Sequence, residues 1–582
     1  MAFLVSPGVQ IVETDLTNLI PAVATSIGAY VGPFLWGPVN SPTLISSEKQ
    51  LAKKFGVPNV ALAQSYWTAA SFFNYGTALQ VVRTLDGTSP TSLNATTGHT
   101  GSFGILVGND AQYDQLYSAA GIGAVGSWAA KYPGALGNAL GVFVCPASSA
   151  AFTAWQTTTI AGATVNLAAL FSAAPGTSAS AAAAGSTNDE IHVVLVDLTG
   201  QFTGLAGTIL KTYGFLSLAS DAQNADGSSN YYVNVINAQS SHLRWLNHDT
   251  TITSHGGASV FSAVAFSSLT TPVAYTFQGG TDQTTTTANV LTGVSYVSDP
   301  STINVNLLFS IGDSSGNTVA NQVLTTALTR KDCVGFISAP ISYTSTGTTP
   351  LTSLISWRGA LSPGSTSYGF MDSSAVKVYD KYNDQNIWIA ACGHMAGLCA
   401  ATDASNDAWW SPAGFNRGNL LNIVKLGYNP VQADRDQLYL ANINPIVTFP
   451  GQGPVLYGDK TLQTKPSAFD RINVRRLFIV LEKAISTAAK YQLFEFNDTF
   501  TQAMFRNMTE PYLRDIKGRR GVTDFKVVCD STNNTPEVVD ANQFVGDVYI
   551  KPARSINFIT LNFIATRTGV SFSEVAGSSS NA

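Results

Sequence analysis

The chain has 582 residues, of which 45% are hydrophobic, 10% aromatic and only 12% charged, with a formal net charge of −5. At about 150 residues per domain, this length implies several cores and excludes a single small module. The charge balance excludes charge-driven disorder and a generally basic nucleic-acid binder.

In chain order, residues 1–8 (MAFLVSPG) carry no Lys or Arg before a short apolar run that meets Pro7, so no signal peptide is expected. Residues 8–16 (GVQIVETDL) read as a strand-like arm with Val9, Ile11 and Val12 as its apolar positions. Two helix-then-stop patterns follow, 47–55 (SEKQLAKKF) before Gly56 and 61–74 before Tyr75-Gly76, leading into a strand at 79–83 (LQVVR). An α/β unit begins there.

Charge then falls away: 101–340 holds 5 basic and 12 acidic residues, whereas 434–582 holds 17 and 15. The two regions therefore read as different domains. Within the middle block, 172–186 (SAAPGTSASAAAAGS) and 281–287 (TDQTTTT) cannot bury enough apolar surface to form a core and read as surface loops. Runs at 191–197 (IHVVLVD), 231–236 (YYVNVI) and 303–311 are β-type, and no repeat of 20–50 residues is visible. The α/β unit resumes at 331–339 (KDCVGFISA), 373–382 and 387–401, which makes roughly 89–340 one or two mainly-β insertions with ends close together near 85–87 and 338–340. Segment 387–401 holds His394 and two glycines and is too short for a membrane span, so it reads as a buried helix.

After a loop at 449–458 comes the strongest helical pattern, 467–495, with Leu477, Leu481, Ala484, Ile485 and Ala488 on one stripe. A second helix starts at the cap Asn497-Asp498-Thr499 and runs to Gly518, with Phe500, Met504 and Met508 on one side and Pro511 kinking or dividing it. Strands at 522–529, 544–551 and 555–566 complete a small α+β domain. The last has two largely apolar faces, Ile556, Phe558 and Ile564 against Ile559, Leu561 and Phe563. It either lies centrally in its own sheet or completes a neighbour's.

Motifs for chemistry are absent. Residues 121–126 match GxGxxG formally but follow a polar segment, and Cys392, His394 and Cys399 sit inside an apolar helix without a second ligand pair. His242, His248 and His255 lack HExxH spacing, and neither a GxSxG elbow nor a P-loop is present. No catalytic residue, cofactor or metal is expected. Five scattered cysteines do not make a disulfide framework and fit a reducing compartment. The basic group Arg514, Lys517, Arg519 and Arg520, interrupted by Asp515, reads first as a solvated loop and second as a docking surface for an acidic partner.

Both ends of the chain resemble the contractile-tail sheath proteins of myovirus-type bacteriophages, in particular the T4-like branch. The resemblance rests on Pro7-Gly8-Val9 with Glu13, Thr25-Ser26 through Gly32-Pro33, Trp36-Gly37-Pro38-Val39-Asn40 and Phe55-Gly56. It continues at Ala396-Gly397-Leu398, Trp410-Ser411-Pro412-Ala413-Gly414, Asn442-Ile443-Asn444-Pro445-Ile446, Gly451-Gln452-Gly453, Cys529-Asp530 through Pro536-Glu537, and residues 549–559 (YIKPARSINFI). It covers roughly 1–88 and 341–582.

The resemblance implies an α+β multidomain chain. Residues 1–22 form an N-terminal arm of the inner domain, 23–88 with 341–433 an α/β middle domain, 89–340 the variable outward-facing insertion, and 434–582 the inner domain with its C-terminal strand arm. It further implies a homo-oligomer of hexameric rings stacked around a tail tube, with baseplate and tail terminator proteins as other partners and no nucleic acid or membrane insertion. The protein would be made in the host cytoplasm and act in the virion tail. Terminal arms, with Val9, Ile11 and Val12 at one end and Ile556, Phe558, Ile559, Leu561, Phe563 and Ile564 at the other, would add strands to neighbours. Arg514, Lys517, Arg519 and Arg520 would be candidates to face the tube. The runner-up reading is a β-rich fibre or adhesin subunit, suggested by the Thr/Ser-rich block, and an enzyme is third.

Overall fold

Six strands form the central sheet in the order Gly369–Met371, Val334–Ile337, Leu307–Ser310, Gly28–Gly32, Leu79–Arg83, Thr43–Ile45, all parallel except the last. This is a computed structural model, and it describes residues 23–85, 93–98, 103–117, 126–248, 260–282, 284–557 and 560. Strand side chains alternate between two cores. Tyr30, Leu79, Val81, Leu307, Phe309, Val334, Phe336 and Phe370 enter one, while Ala29, Val31, Val82, Leu308, Ile337 and Met371 enter the other. A parallel sheet must be covered on both faces, which is why its strands read as unbroken apolar runs. The first face is covered by helices Glu48–Phe55, Ala63–Ala70 and Cys392–Ser405, the second by Thr287–Ser295, Thr318–Arg330 and Pro350–Gly359. Helix Cys392–Ser405 lies so close to its neighbour that a Cβ on Gly393 would sit 2.2 Å from the Thr68 carbonyl oxygen, so only glycine fits.

The helix Glu48–Phe55 is set by Ser47, whose side chain accepts from the Gln50 amide, and ends at Gly56 with φ 78°. Segment 61–74 forms Ala63–Ala70 and a 3-10 turn, Ser71–Asn74, before the strand Leu79–Arg83.

The chain leaves the sheet after Arg83 and returns at helix Thr287–Ser295, where the Thr285 hydroxyl lies 3.5 Å from the Thr84 carbonyl. The insertion between them holds a four-stranded antiparallel sheet in the order Val273–Thr276, Leu140–Cys145, Glu190–Asp197, Thr208–Ser217. It is clipped to the central unit by buried Arg83, whose guanidinium donates to the carbonyls of Phe34, Leu35, Gly37 and Pro133. Trp36 packs edge-on against Tyr132 and Phe202 across the same junction.

Three expectations are corrected here. Strand Leu307–Ser310 belongs to the central sheet beside Val334–Ile337, the strand at which the α/β unit is expected to resume, so the insertion ends near 285 rather than 340, and its ends meet at Thr84 and Thr285. The run 231–236 is not a strand: helix Tyr232–Gln239 buries Tyr232, Val233 and Ile236 beside Trp128 and Trp245. Residues 387–401 divide between strand Gln385–Ile389 and helix Cys392–Ser405.

The C-terminal unit pairs helix Ile472–Ala489 with helix Thr499–Gly518 and covers them with a two-stranded antiparallel sheet, Val522–Val528 with Asp547–Pro552. Its core is Leu477, Leu481, Phe505, Leu513, Ile516, Val522, Val527 and Cys529, closed by Trp409. The second helix runs unbroken through Pro511 and buries Thr501, Phe505, Thr509, Leu513 and Ile516. Of the expected side of Phe500, Met504 and Met508, Met508 packs against the edge of this core, whereas Phe500 is 71% exposed. Among the described residues no helix is long and apolar enough to cross a membrane.

Candidate assembly interface

Helix Ile472–Ala489 is locked to the central unit at Arg476. Its guanidinium donates to both oxygens of Asp403 at 2.7 and 2.5 Å, and to the carbonyls of Cys399 and Thr25 at 3.4 Å. Both partners are about 95% buried. One side chain therefore joins the C-terminal helices, the core helix Cys392–Ser405 and the point where the N-terminal segment enters the fold.

The sheet of this unit has only two strands, so each presents one edge that no further strand pairs with among the described residues. A two-stranded sheet with open edges is marginal alone and is a template for a third strand. Beyond it the chain is held by a hub. Ala553 N–H donates to the Gly521 carbonyl, the Ser555 hydroxyl donates to Asp459 at 2.8 Å, and the Asn557 amide donates to Asp459 and to the Tyr439 hydroxyl. Asp459, almost wholly buried, also accepts from Ser411 at 3.1 Å and Arg471 at 3.4 Å. Ile556, between the two anchors, is 82% exposed. The root of the C-terminal segment is thus fixed while its apolar side chain faces out.

Of the remaining arm residues, Val9, Ile11, Val12, Phe558, Ile559, Leu561, Phe563 and Ile564 lie outside the described residues. The four basic residues are described and lie at one end of helix Thr499–Gly518, and two of them, Lys517 and Arg519, are compensated by neighbouring carboxylates. Lys517 donates to Asp524 at 3.3 Å, and that bond holds the Asp524 carboxyl below the usual carboxylate range. Arg519 pairs with Asp407 and with Asp515 at 3.5 Å while lying over Trp409. Arg520 lies over the Trp410 ring at 5.3 Å. Arg514 is exposed and makes no ion pair among the described residues. Beside this group opens a cleft of about 1220 Å³, bounded by Trp409, Trp410, Arg417, Lys517, Arg520 and Arg554.

Chemistry does not intrude on this surface. All five cysteines are free and buried, and burial pushes the Cys392 and Cys399 thiols up to about 12. His394, in the same helix, is buried with Nδ1 3.1 Å from the Tyr75 hydroxyl, and desolvation lowers its pKa to about 3. Among the described residues no group of three His, Cys, Asp or Glu could hold a metal. Sequence reasoning missed Asp459 and Arg476. Each draws partners from distant parts of the chain, and no local pattern marks them.

Comparison with known proteins gives a consistent result. Residues 302–462 match the phage tail sheath protein central domain, and 464–566 match the phage tail sheath C-terminal domain. The chain is 34% identical to the tail sheath protein of Vibrio phage KVP40, with 99% of this chain and 100% of the relative covered. It is 32% identical to the tail sheath protein of Enterobacteria phage T4, with 99% of each covered. Among solved structures, the fold is similar to that of a sheath tail protein from Listeria innocua, with TM-score 0.53, 11% identity, and 91% of this chain and 96% of that one covered.

Proposed function

The chain belongs to the phage tail sheath family, whose relatives are structural proteins of contractile tails and not enzymes, and from that premise we propose how it works. It polymerises as hexameric rings stacked around a tail tube, and contraction of the polymer drives the tube through the host envelope to deliver the genome. The observation that carries this reading is the incomplete C-terminal sheet beside an anchored C-terminal root. Strands supplied by the terminal arms of neighbouring copies complete that sheet, as β-strand addition does elsewhere. The bearers are Val9, Ile11 and Val12 at one end and Ile556, Phe558, Ile559, Leu561, Phe563 and Ile564 at the other.

Such a device needs two packings of one subunit separated by a few kcal/mol, with the strand links intact while rigid bodies rotate. The division of labour we propose follows the chain. The C-terminal unit from about 434 and the N-terminal arm 1–22 form the inner mesh. The doubly covered sheet, built from 23–85 and from about 285–433, forms the middle layer, and the insertion faces outward. The tube is met by those of Arg514, Lys517, Arg519 and Arg520 that ion pairing leaves free, Arg514 first. Baseplate and tail terminator proteins cap the ends of the polymer in the virion tail.

The test is to place charge on the arm. Phe558→Asp with Ile564→Asp should leave a folded subunit that no longer forms long sheaths. Long polymers from that variant would remove the linking role.

A further inference from the structure

Among the described residues, the loop joining the two C-terminal helices carries the most exposed cluster of large apolar side chains in the unit. Tyr491 is 82%, Leu493 63%, Phe494 105% and Phe496 84% exposed, and Phe500 follows on the next helix. Phe494 has φ 73°, a conformation bulky residues seldom adopt. Patches of this kind on a folded surface mark interaction sites. The three aromatic rings of 491–496 alone could bury about 450–750 Å² at about 150–250 Å² each, approaching the roughly 800 Å² per partner of a stable interface. Glu495, between the two phenylalanines, is exposed and makes no ion pair among the described residues.

The cleft at the other end of the same helices has the complementary character. The guanidiniums of Arg417 and Arg520 both lie over the Trp410 ring, 5.1 and 5.3 Å from its centre. Arg520 and Arg554 are exposed without ion-pair partners among the described residues. Asn473 lines the cleft at the start of helix Ile472–Ala489, and Lys517 lines it near the end of helix Thr499–Gly518, whereas the aromatic loop joins their opposite ends. A helix of 18 residues is about 27 Å long, so the loop cannot reach the cleft of its own chain.

We propose that residues 491–496 of one copy dock in the Trp410–Arg520 cleft of a second copy. The contact is separate from the terminal arms and rests on the reading that the chain polymerises. A knob and a socket at different places on one chain make a head-to-tail contact, which propagates as an open row of subunits.

Two experiments on the full chain decide it. Phe494→Ser with Phe496→Ser changes only exposed positions, so the circular dichroism spectrum and melting temperature should be unchanged while the concentration needed for polymerisation rises at least tenfold. Glu495→Cys with Arg520→Cys in one chain should, on mild oxidation of polymers, give a ladder of covalent multimers on a denaturing gel. Either substitution alone should give no ladder, because the five native cysteines are buried. Unchanged polymerisation by the serine variant overturns the proposal. So does a polymer of the cysteine pair without a ladder, which would turn the loop toward the tube or another surface. Failure of the unsubstituted chain to polymerise would remove the reading that it assembles by itself, and this contact with it.

Discussion

Replacing Asp403 with alanine tests how the C-terminal unit is held. The substitution leaves the Arg476 guanidinium about 95% buried, stripped of its two short bonds and keeping only two carbonyls at 3.4 Å. Breaking a buried pair by removing one partner costs about 3–5 kcal/mol, because the remaining charge is uncompensated. Arg476→Met should cost a similar amount by stranding Asp403. The double variant Asp403→Ala with Arg476→Met removes both charges, so its cost should fall below the sum of the two single costs by at least about 3 kcal/mol. Urea unfolding of the unpolymerised subunit, followed by tryptophan fluorescence, gives these differences. Salt should barely change them, since a buried pair is poorly screened. A cost below about 1 kcal/mol for Asp403→Ala, or additive single effects, would refute the claim that this pair locks helix Ile472–Ala489 to the core.

Burial raises the Asp372 carboxyl to about 7, although the hydroxyl of Ser338 and the Ser374 amide donate to it. A carboxyl raised in the fold holds its proton longer than in the unfolded chain, so its contribution is full below about pH 4 and is lost as pH rises to about 7, by up to roughly 4 kcal/mol. Asp372→Asn should therefore flatten the stability profile between pH 4 and 7; parallel urea-midpoint curves for the two proteins would contradict this. Replacing 86–284 with a short Gly/Ser linker should leave a soluble subunit that still assembles, because the ends meet at Thr84 and Thr285; insoluble protein on expression counts against that boundary. Arg514→Glu should slow sheath growth on isolated tubes, more at low salt, with the exposed contact worth about 0–1 kcal/mol. Growth rates equal to those of the unsubstituted protein at every ionic strength would show that Arg514 does not meet the tube.

Much of the fold was legible where local signals and tertiary demands agree. The Ser47 cap with Gly56 after it, the strand Leu79–Arg83 and the stripe Leu477, Leu481, Ala484 and Ala488 all recur as read. The failures have specific causes. Low charge between 101 and 340 grouped Leu307–Ser310 with the insertion, yet a strand buried on both faces of a parallel sheet has no use for charge either. In YYVNVI the β-branched residues signal a strand, but burial of Tyr232, Val233 and Ile236 on one helical face overrides that preference. In the last helix the buried stripe includes Thr501 and Thr509, so counting apolar residues alone selects Phe500, Met504 and Met508 instead. The family was legible from motifs at both ends of the chain. The Asp459 hub was not, because Ser411, Arg471 and Ser555 are brought to it only by folding.

The central claim is that neighbouring copies complete the sheet Val522–Val528 with Asp547–Pro552. A cryo-electron microscopy reconstruction of the polymer formed by the purified chain tests it most directly. The account predicts six-fold rings stacked helically, with strands from other copies hydrogen-bonded along the open edges of that sheet. Three-fold rods, or six-fold rings in which both edges stay bare or are covered by the same copy, would contradict it.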